Sequence, residues 1–384
     1  MKIFKTFSLL LLVLAVVSCG SNNTKQHSAN YSTDSLQLNY ANGFSVFYKN
    51  NYKIIKVTNP FNGAVNETFV YVLYNKGDKQ PVVEGNNIVY IQKPIQNIVC
   101  MSTTQIGYIN ALGLDSLIVG LSGADYVYNK GLQQKIAQGK IVDVGYESGF
   151  NYEVFMGLNP DLAFMYGINS GVKAQVDKLS KLKKKAVIAG EYLEPTALAK
   201  AEWLLFFSAF FDKEQQAKQI MDSIALEYNT LKEQAIKAIN KPKVLVGVPW
   251  KGVWYLPGGQ SLTSQFITDA GGEYLWADNE GVESFSISLE DIMLKSKNAD
   301  VWMHTSSCQS LQDIVNTDSR LKNISVFGEG KVLNNCKRMS PMNGNDYFES
   351  GVVNPHIILK DIVSFLHPEL VEPNYELKYY KVLK

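Results

Sequence analysis

Residues 212–240 read DKEQQAKQIMDSIALEYNTLKEQAIKAIN. Apolar side chains recur at Ala217, Ile220, Ile224, Tyr228, Leu231, Ala235 and Ile239, a three-and-four spacing that places them on one face of an α-helix. Asp212 stands where an N-cap is needed and Gln215 follows at capping-box spacing. Lys241-Pro242 removes an amide donor and ends the pattern. At 1.5 Å rise per residue the helix is about 40 Å long, enough to span a domain, and it reads as a strut joining two lobes.

The same strand and helix grammar stands on both sides of that strut. Before it, strands are expected at 98–101, 117–121, 141–144, 162–165 and 186–189. Helices are expected from Ser102 to Leu112, with Gly113 as the stop, and over 152–158 and 172–182. After it come a strand at 244–248, an aromatic and glycine-rich turn at 249–259, and a helix at 262–270 stopped by Gly271-Gly272. Strands at 301–304 and 331–333 follow, then a helix at 355–366 before Pro368. Leu289-Glu290-Asp291-Ile292 leading to Asn298-Ala299-Asp300 echoes Tyr152-Glu153-Val154-Phe155 leading to Asn159-Pro160-Asp161. Alternation at this spacing implies α/β architecture: two Rossmann-like lobes with mainly parallel sheets, bridged by a long rigid helix. Upstream, Phe44, Val46 and Tyr48 alternate, as do Ile54 or Ile55 with Val57, and Phe69, Tyr71 and Leu73, which predicts a small antiparallel β decoration. The expected segments are therefore a β extension at 36–92, a first lobe at 93–195, a helical segment at 196–241 and a second lobe at 242–384.

A chain of 384 residues can bury two cores, and 46% hydrophobic with 19% charged content fits a globular protein. A formal charge of +1 gives no footing for nucleic-acid binding. Lys2 and Lys5 precede an apolar run over 7–17, too short to cross a bilayer as a helix, which ends in Val16-Val17-Ser18-Cys19-Gly20. That ending looks like a lipobox: residues 1–18 are a signal peptide, Cys19 is lipidated, and polar residues 19–35 form a flexible tether. A bacterial lipoprotein, exported to the periplasm and membrane-anchored, is expected. Of the remaining cysteines, Cys100 reads as a core thiol. Cys308 and Cys336 each follow an apolar strand-like run, so a bridge between neighbouring strand ends and a pair of free thiols are both open.

Catalytic constellations are sparse. There is no G-x-S-x-G elbow, P-loop or H-E-x-x-H motif. The four histidines are scattered, with His27 in the tether, which argues against a three-histidine zinc site. His304, at a strand end, either faces a cleft or is a satisfied structural histidine. Aromatic residues gather instead at strand ends: Tyr146, Tyr166, Trp250, Trp254, Tyr255, Phe285, Tyr347 and Phe348 stand where open α/β sheets form ligand crevices. Ser102, Thr103 and Thr104 open a helix whose free amides can cap it or face a ligand. Only two arginines occur, Arg320 and Arg338. Arg338, past a strand end, either meets an anionic group or lies exposed. Asp346 with Glu349 is the one titratable pair an enzyme would have at hand; a solvent-facing or capping role is the other reading.

Four stretches carry a resemblance. IVCMSTTQIGYINALGLDSLIVG at 98–120, NYEVFMGLNPDLAFMY at 151–166, FSISLEDIMLKSKNADVW at 285–302 and NDYFESGVVNPHIILKDI at 345–362 resemble the substrate-binding lipoproteins of iron-siderophore and cobalamin ABC importers. The resemblance implies two α/β lobes bridged by a rigid helix, with a shallow ligand cleft between them, and a rigid strut predicts only small lobe movement on binding. It implies that Glu153 and Glu290, one per lobe, dock onto arginines of a permease dimer. It also implies ligand contacts from Tyr166, from Tyr146 and Phe285 one position off the family's cleft aromatics, and from Asp346, Tyr347 and Phe348. The expected function is capture of a ferric siderophore by a monomeric, non-enzymatic receptor. Corrinoid or haem cargo is the alternative, and a ligand sensor or an enzyme on the same scaffold is further off.

Overall fold

The long helix runs over Glu214–Ala235, about 33 Å at the standard rise, in a computed structural model that describes residues 34–384 apart from Glu147, Ser148 and Glu329. Cys19, the leader and the tether up to residue 33 lie outside the described residues. Ala217, Met221, Ile224, Tyr228 and Ala235 are its buried face, with Ile220 and Leu231 half-buried at the margins. That face packs on Ala197–Ala209 on one side and on Pro355–Leu366 and Leu262–Asp269 on the other. Tyr228 Oη donates to Asp269 at 2.7 Å and Lys232 pairs with the same carboxylate at 2.9 Å. The helix therefore touches the helices that belong to both sheets.

Both of its ends differ from the expectation. Asp212 does not cap the helix: its backbone is left-handed at φ 55, and Lys213 is the N-cap, without a side-chain hydrogen bond. The Asp212 carboxylate is taken by Lys53 Nζ at 2.6 Å and Lys93 Nζ at 2.7 Å, two cations that the β extension brings in and that no local reading could place. The C-terminus comes at Ala235, well before Pro242. Lys241 reaches back to the Ile236 carbonyl at 2.7 Å, and Gly271 presses against the helix end, where a Cβ would stand 2.4 Å from the Ala235 carbonyl oxygen. Ile239, assigned above to the buried face, is fully exposed beyond this stop.

The first α/β sheet follows the sequence pattern strand for strand, and the second adds two short edge strands, Glu273–Tyr274 and Lys381–Val382, that the pattern did not announce. The first has spatial order Val142–Asp143, Ile118–Leu121, Ile98–Cys100, Leu162–Met165, Ala186–Ile188, all parallel. The second has order Glu273–Tyr274, Lys243–Val246, Val301–Met303, Val332–Asn334, Lys381–Val382, parallel except for the last strand. Helices cover both faces, so the central strands are buried throughout and read as unbroken apolar runs. The internal echo is structural as well: Asp161 accepts from the Gln96 and Asn97 amides at 2.8 and 3.0 Å, and Asp300 accepts from the Lys243 amide at 2.8 Å. In each half the acid before a strand ties down the start of the neighbouring strand.

The β extension consists of Phe44–Tyr48, Tyr52–Thr58 and Thr68–Asn75 in antiparallel order, as the alternation implied, joined by a parallel fourth strand, Ile88–Lys93, that it did not. It is fastened rather than appended. Phe44 meets Trp203 and Phe206 with ring centroids 4.9 and 5.5 Å apart, and Tyr71 Oη accepts from the Ile188 amide at 2.9 Å. Buried Glu202 accepts from the amides of Asn39, Tyr40 and Ala41.

Candidate functional site

In each sheet the strand order reverses between two neighbours: Ile98–Cys100 beside Leu162–Met165, and Lys243–Val246 beside Val301–Met303. Such switch points leave a crevice past the carboxyl ends of the strands. A cleft of about 820 Å³ lies there, lined from the first half by Thr103 and Tyr126 and from the second by segments after Met303 and after Asn334. Its size is that of a small-molecule site.

The second wall is built by sharp turns. His304 and Ser306 adopt left-handed backbone, φ 54 and 55, and swing the chain over the sheet end, which presents Ser306, Ser307 and Gln309 to the cleft. His304 is held between aromatic rings, 6.1 Å from Tyr347 and 5.5 Å from Tyr380, and its Nε2 meets Tyr380 Oη at 3.0 Å. Burial pushes its imidazole down to about 4, so it is neutral at pH 7. Asn335, Cys336 and Met339 follow from the next strand end. Asn345 ties the loop shut, donating through Nδ2 to the Asn335 carbonyl at 2.9 Å and accepting from the Tyr347 amide at 3.0 Å.

Behind the cleft the two halves touch closely. Glu349, 3% exposed, accepts from the Tyr128 and Asn129 amides at 2.6 and 2.9 Å. A Cβ on Gly344 would stand 2.2 Å from the Tyr126 carbonyl oxygen, and one on Gly107 2.1 Å from that of Glu349. A smaller pocket of about 170 Å³ opens beside this junction, with Thr104, Lys200, Tyr347 and Phe348 in its wall. Glu191, next to it, accepts from Thr104 Oγ1 at 3.1 Å while its other oxygen is buried without a partner; burial pushes this carboxyl up to about 7.

The residues singled out from sequence are dispersed. Thr103 and Phe348 line the cleft. Ser102 is the N-cap, accepting from the Thr104 amide at 3.3 Å; Gln105, three residues on at capping-box spacing, closes no box with it, because its Oε1 accepts from the Met101 amide. Tyr347 and Thr104 face the smaller pocket. Tyr146 is exposed and lies over Gly123, and Tyr166 packs on Tyr192 at 5.3 Å, neither lining the cleft. Trp254 is a core residue: its Nε1 donates to the Val246 carbonyl at 3.0 Å and its ring stacks 6.1 Å from Trp302. Trp250 and Tyr255 are exposed and Phe285 half-buried on the two-stranded ribbon of Trp254–Leu256 with Phe285–Ile287 and the turn before it, outside the cleft wall. Arg338 is neither a free ligand donor nor a bare surface charge. Its Nε donates to buried Asp346 at 2.5 Å and its guanidinium lies 5.0 Å over the Tyr128 ring. Cys308 and Cys336 are not bridged; both are free and buried, and Cys336 Sγ donates to the Cys308 carbonyl oxygen at 3.5 Å.

Glu153 and Glu290 are exposed in the first turns of two separate helices, Tyr152–Leu158 and Leu289–Lys295, capped by Asn151 and Ser288. Ser306, Ser307, Gln309, Asn335 and Asn343 line the cleft without having been picked from sequence. They stand just past expected strand ends, and a search for polar as well as aromatic residues there would have found most of them. Among the described residues no group of three or more His, Cys, Asp or Glu side chains could hold a metal ion.

The family described as periplasmic binding protein matches residues 98–333, and the chain belongs to that family. It is accordingly a solute-binding component of ABC import and not an enzyme. An uncharacterized lipoprotein of Methanocaldococcus jannaschii is 28% identical over 86% of this chain and 82% of its own. Among solved structures, a possible iron-binding (periplasmic solute-binding) protein of Staphylococcus epidermidis superposes with a TM-score of 0.54 at 18% identity, covering 72% of this chain and 100% of that one. One from Saccharomonospora viridis, described as an ABC-type Fe3+-hydroxamate transport system, has a TM-score of 0.52 at 18% identity, covering 71% and 94%. At that identity the likeness is one of fold.

Proposed function

We propose that this protein is a lipid-anchored extracytoplasmic receptor that captures an iron chelate between its two α/β halves and hands it to the permease of an ABC importer. The observation that carries the reading is the cleft of about 820 Å³ past the switch points of both sheets, walled by Thr103 and Tyr126 on one side and by the His304–Gln309 and Asn335–Phe348 turns on the other. The iron-related descriptions of the two structural neighbours support the choice of cargo, and the lipoprotein description of the relative supports anchoring through Cys19. Glu153 and Glu290 are the proposed docking pair: two exposed carboxylates on separate helices suit a two-point electrostatic contact with cations of the permease.

Titration of the protein with ferric siderophores, cobalamin and haem, followed by tryptophan fluorescence, tests the cargo. Saturable quenching by a ferric siderophore at micromolar or tighter affinity is expected; response to cobalamin or haem alone would replace the iron chelate with that cargo. Glu153→Ala combined with Glu290→Ala is expected to abolish uptake while leaving ligand affinity unchanged, and intact uptake by the double variant would remove the docking assignment.

A further inference from the structure

The cleft wall is rich in hydrogen-bonding groups and empty of charge. Thr103, Ser306, Ser307, Gln309, Asn335 and Asn343 present hydroxyls and carboxamides, and no Asp, Glu, Lys or Arg lines the cleft among the described residues. The side chains of Ser306, Ser307, Gln309, Asn335 and Asn343 make no hydrogen bond to the protein among the described residues, so their donors and acceptors are available to a guest.

The charges nearby do not supply a missing cation. Arg338, at the root of the cleft loop, is held by Asp346 at 2.5 Å. Lys337 beside it pairs with Glu376 at 2.8 Å. Lys381, whose charge reaches Cys336, also faces Asp313. Arg320, the remaining arginine, is paired with Asp318 at 2.7 Å. Lys200 stands in the separate smaller pocket, under the field of Glu191 and Glu194. On the first half, Asp125 adjoins Tyr126 and Asp143 accepts from the Ala124 amide at 2.7 Å, and both carboxylates act on Tyr146 nearby. His304, the one ring in the wall able to titrate near neutrality, is kept uncharged by burial. An anionic guest would lose hydration to wall groups that offer only dipoles, whereas a neutral polar guest exchanges water for amides and hydroxyls at little cost.

Resting on the receptor reading above, we infer that the cargo is a metal chelate without net negative charge, its outer surface made of amide, hydroxamate or hydroxyl groups, and that polyanionic chelates are excluded. Catecholate and citrate complexes, and haem entering by its propionates, fall in the excluded class.

The test is a charge series at matched size on the full-length chain in detergent: a neutral ferric tris-hydroxamate, a trianionic ferric tris-catecholate and haemin, by calorimetry at low and moderate salt. The neutral complex should bind about a hundredfold or more tighter than the trianion. Ser307→Lys, at an exposed position whose side chain has no protein partner, should narrow that ratio at least about tenfold at low salt while leaving the melting temperature unchanged. A wild-type preference for the tris-catecholate or haemin overturns the inference and leaves the receptor reading standing. No binding of any probe overturns both.

Discussion

The Glu349 carboxylate accepts a 2.6 Å hydrogen bond from the Tyr128 backbone amide across the junction of the two halves, and its second oxygen accepts from Asn129 at 2.9 Å. The short helix Asp346–Glu349, which carries Phe348 into the cleft, is thereby pinned to the segment that leads into Lys130–Ala137. Glu349→Ala leaves two part-buried amides without their acceptor and is expected to destabilise the fold by about 1–3 kcal/mol. Denaturant unfolding measures this, with faster hydrogen exchange at Tyr128 and Asn129 as the local signature. A variant as stable as the parent would show that the junction does not depend on the contact.

Gly107 lies inside helix Thr103–Ala111, where alanine would ordinarily add up to about 1 kcal/mol of helix stability. Here a Cβ would sit 2.1 Å from the Glu349 carbonyl oxygen. Gly107→Ala is therefore expected to lower stability by about 2 kcal/mol or more, because backbone must move to admit a methyl group. Thermal melting of the variant checks the sign, and a raised melting temperature would contradict the packing.

Glu191 is pushed from 4.5 up to about 7 by burial, and the hydrogen bond from Thr104 offsets this only in part. Between pH 4.5 and 7 the folded chain holds a proton that the unfolded chain releases, so this group's contribution to stability falls as pH rises through that window and levels off above it. Glu191→Gln removes the titration. The stability of the variant relative to the parent should increase from pH 5 to pH 8 by an amount on the order of 2–3 kcal/mol, and a pH-independent difference would refute the shift.

Asp361, fully buried in the helix Pro355–Leu366, accepts from Tyr375 Oη at 2.7 Å and from the amides of Lys378, Tyr379 and Tyr380 at 2.7–3.1 Å. It thus fixes the tail whose Tyr380 supports His304 in the cleft wall. Asp361→Ala is expected to cost about 3 kcal/mol or more, and to weaken ligand binding by loosening that wall. Tyr380→Phe isolates the second effect: it removes the contact to His304 with little change in packing, so affinity should fall while the melting temperature moves by only a few degrees.

The longer elements were legible because each announces itself locally, whereas strands of two or three residues such as Glu273–Tyr274, Phe285–Ile287 and Lys381–Val382 are too short to carry a period. Tyr152–Leu158, Leu162–Met165 and Pro355–Leu366 fall where periodicity and stop signals placed them, and the remaining strand ends moved by a residue or two. The cleft was legible as a location, past the strand ends, but not as a residue set. Tryptophans attract attention in a sequence, yet Trp254 went to the core because its indole N–H found the Val246 carbonyl there. Ser307, Gln309 and Asn335 carry no local signal that separates a cleft wall from any surface turn.

By itself the sequence determined the α/β class, the order of the longer strands and helices, the two matching halves and the long helix between them, since these follow from apolar periodicity and from glycine and proline punctuation over a few residues. Tertiary structure alone decided what each polar group faces. Asp212 left a helix cap for Lys53 and Lys93, Arg338 turned from a ligand candidate into the partner of Asp346, and Glu349 became the tie between the halves. Each choice is a competition between a local partner and one more than a hundred residues away or across a loop, and only the folded arrangement sets the distance that decides it.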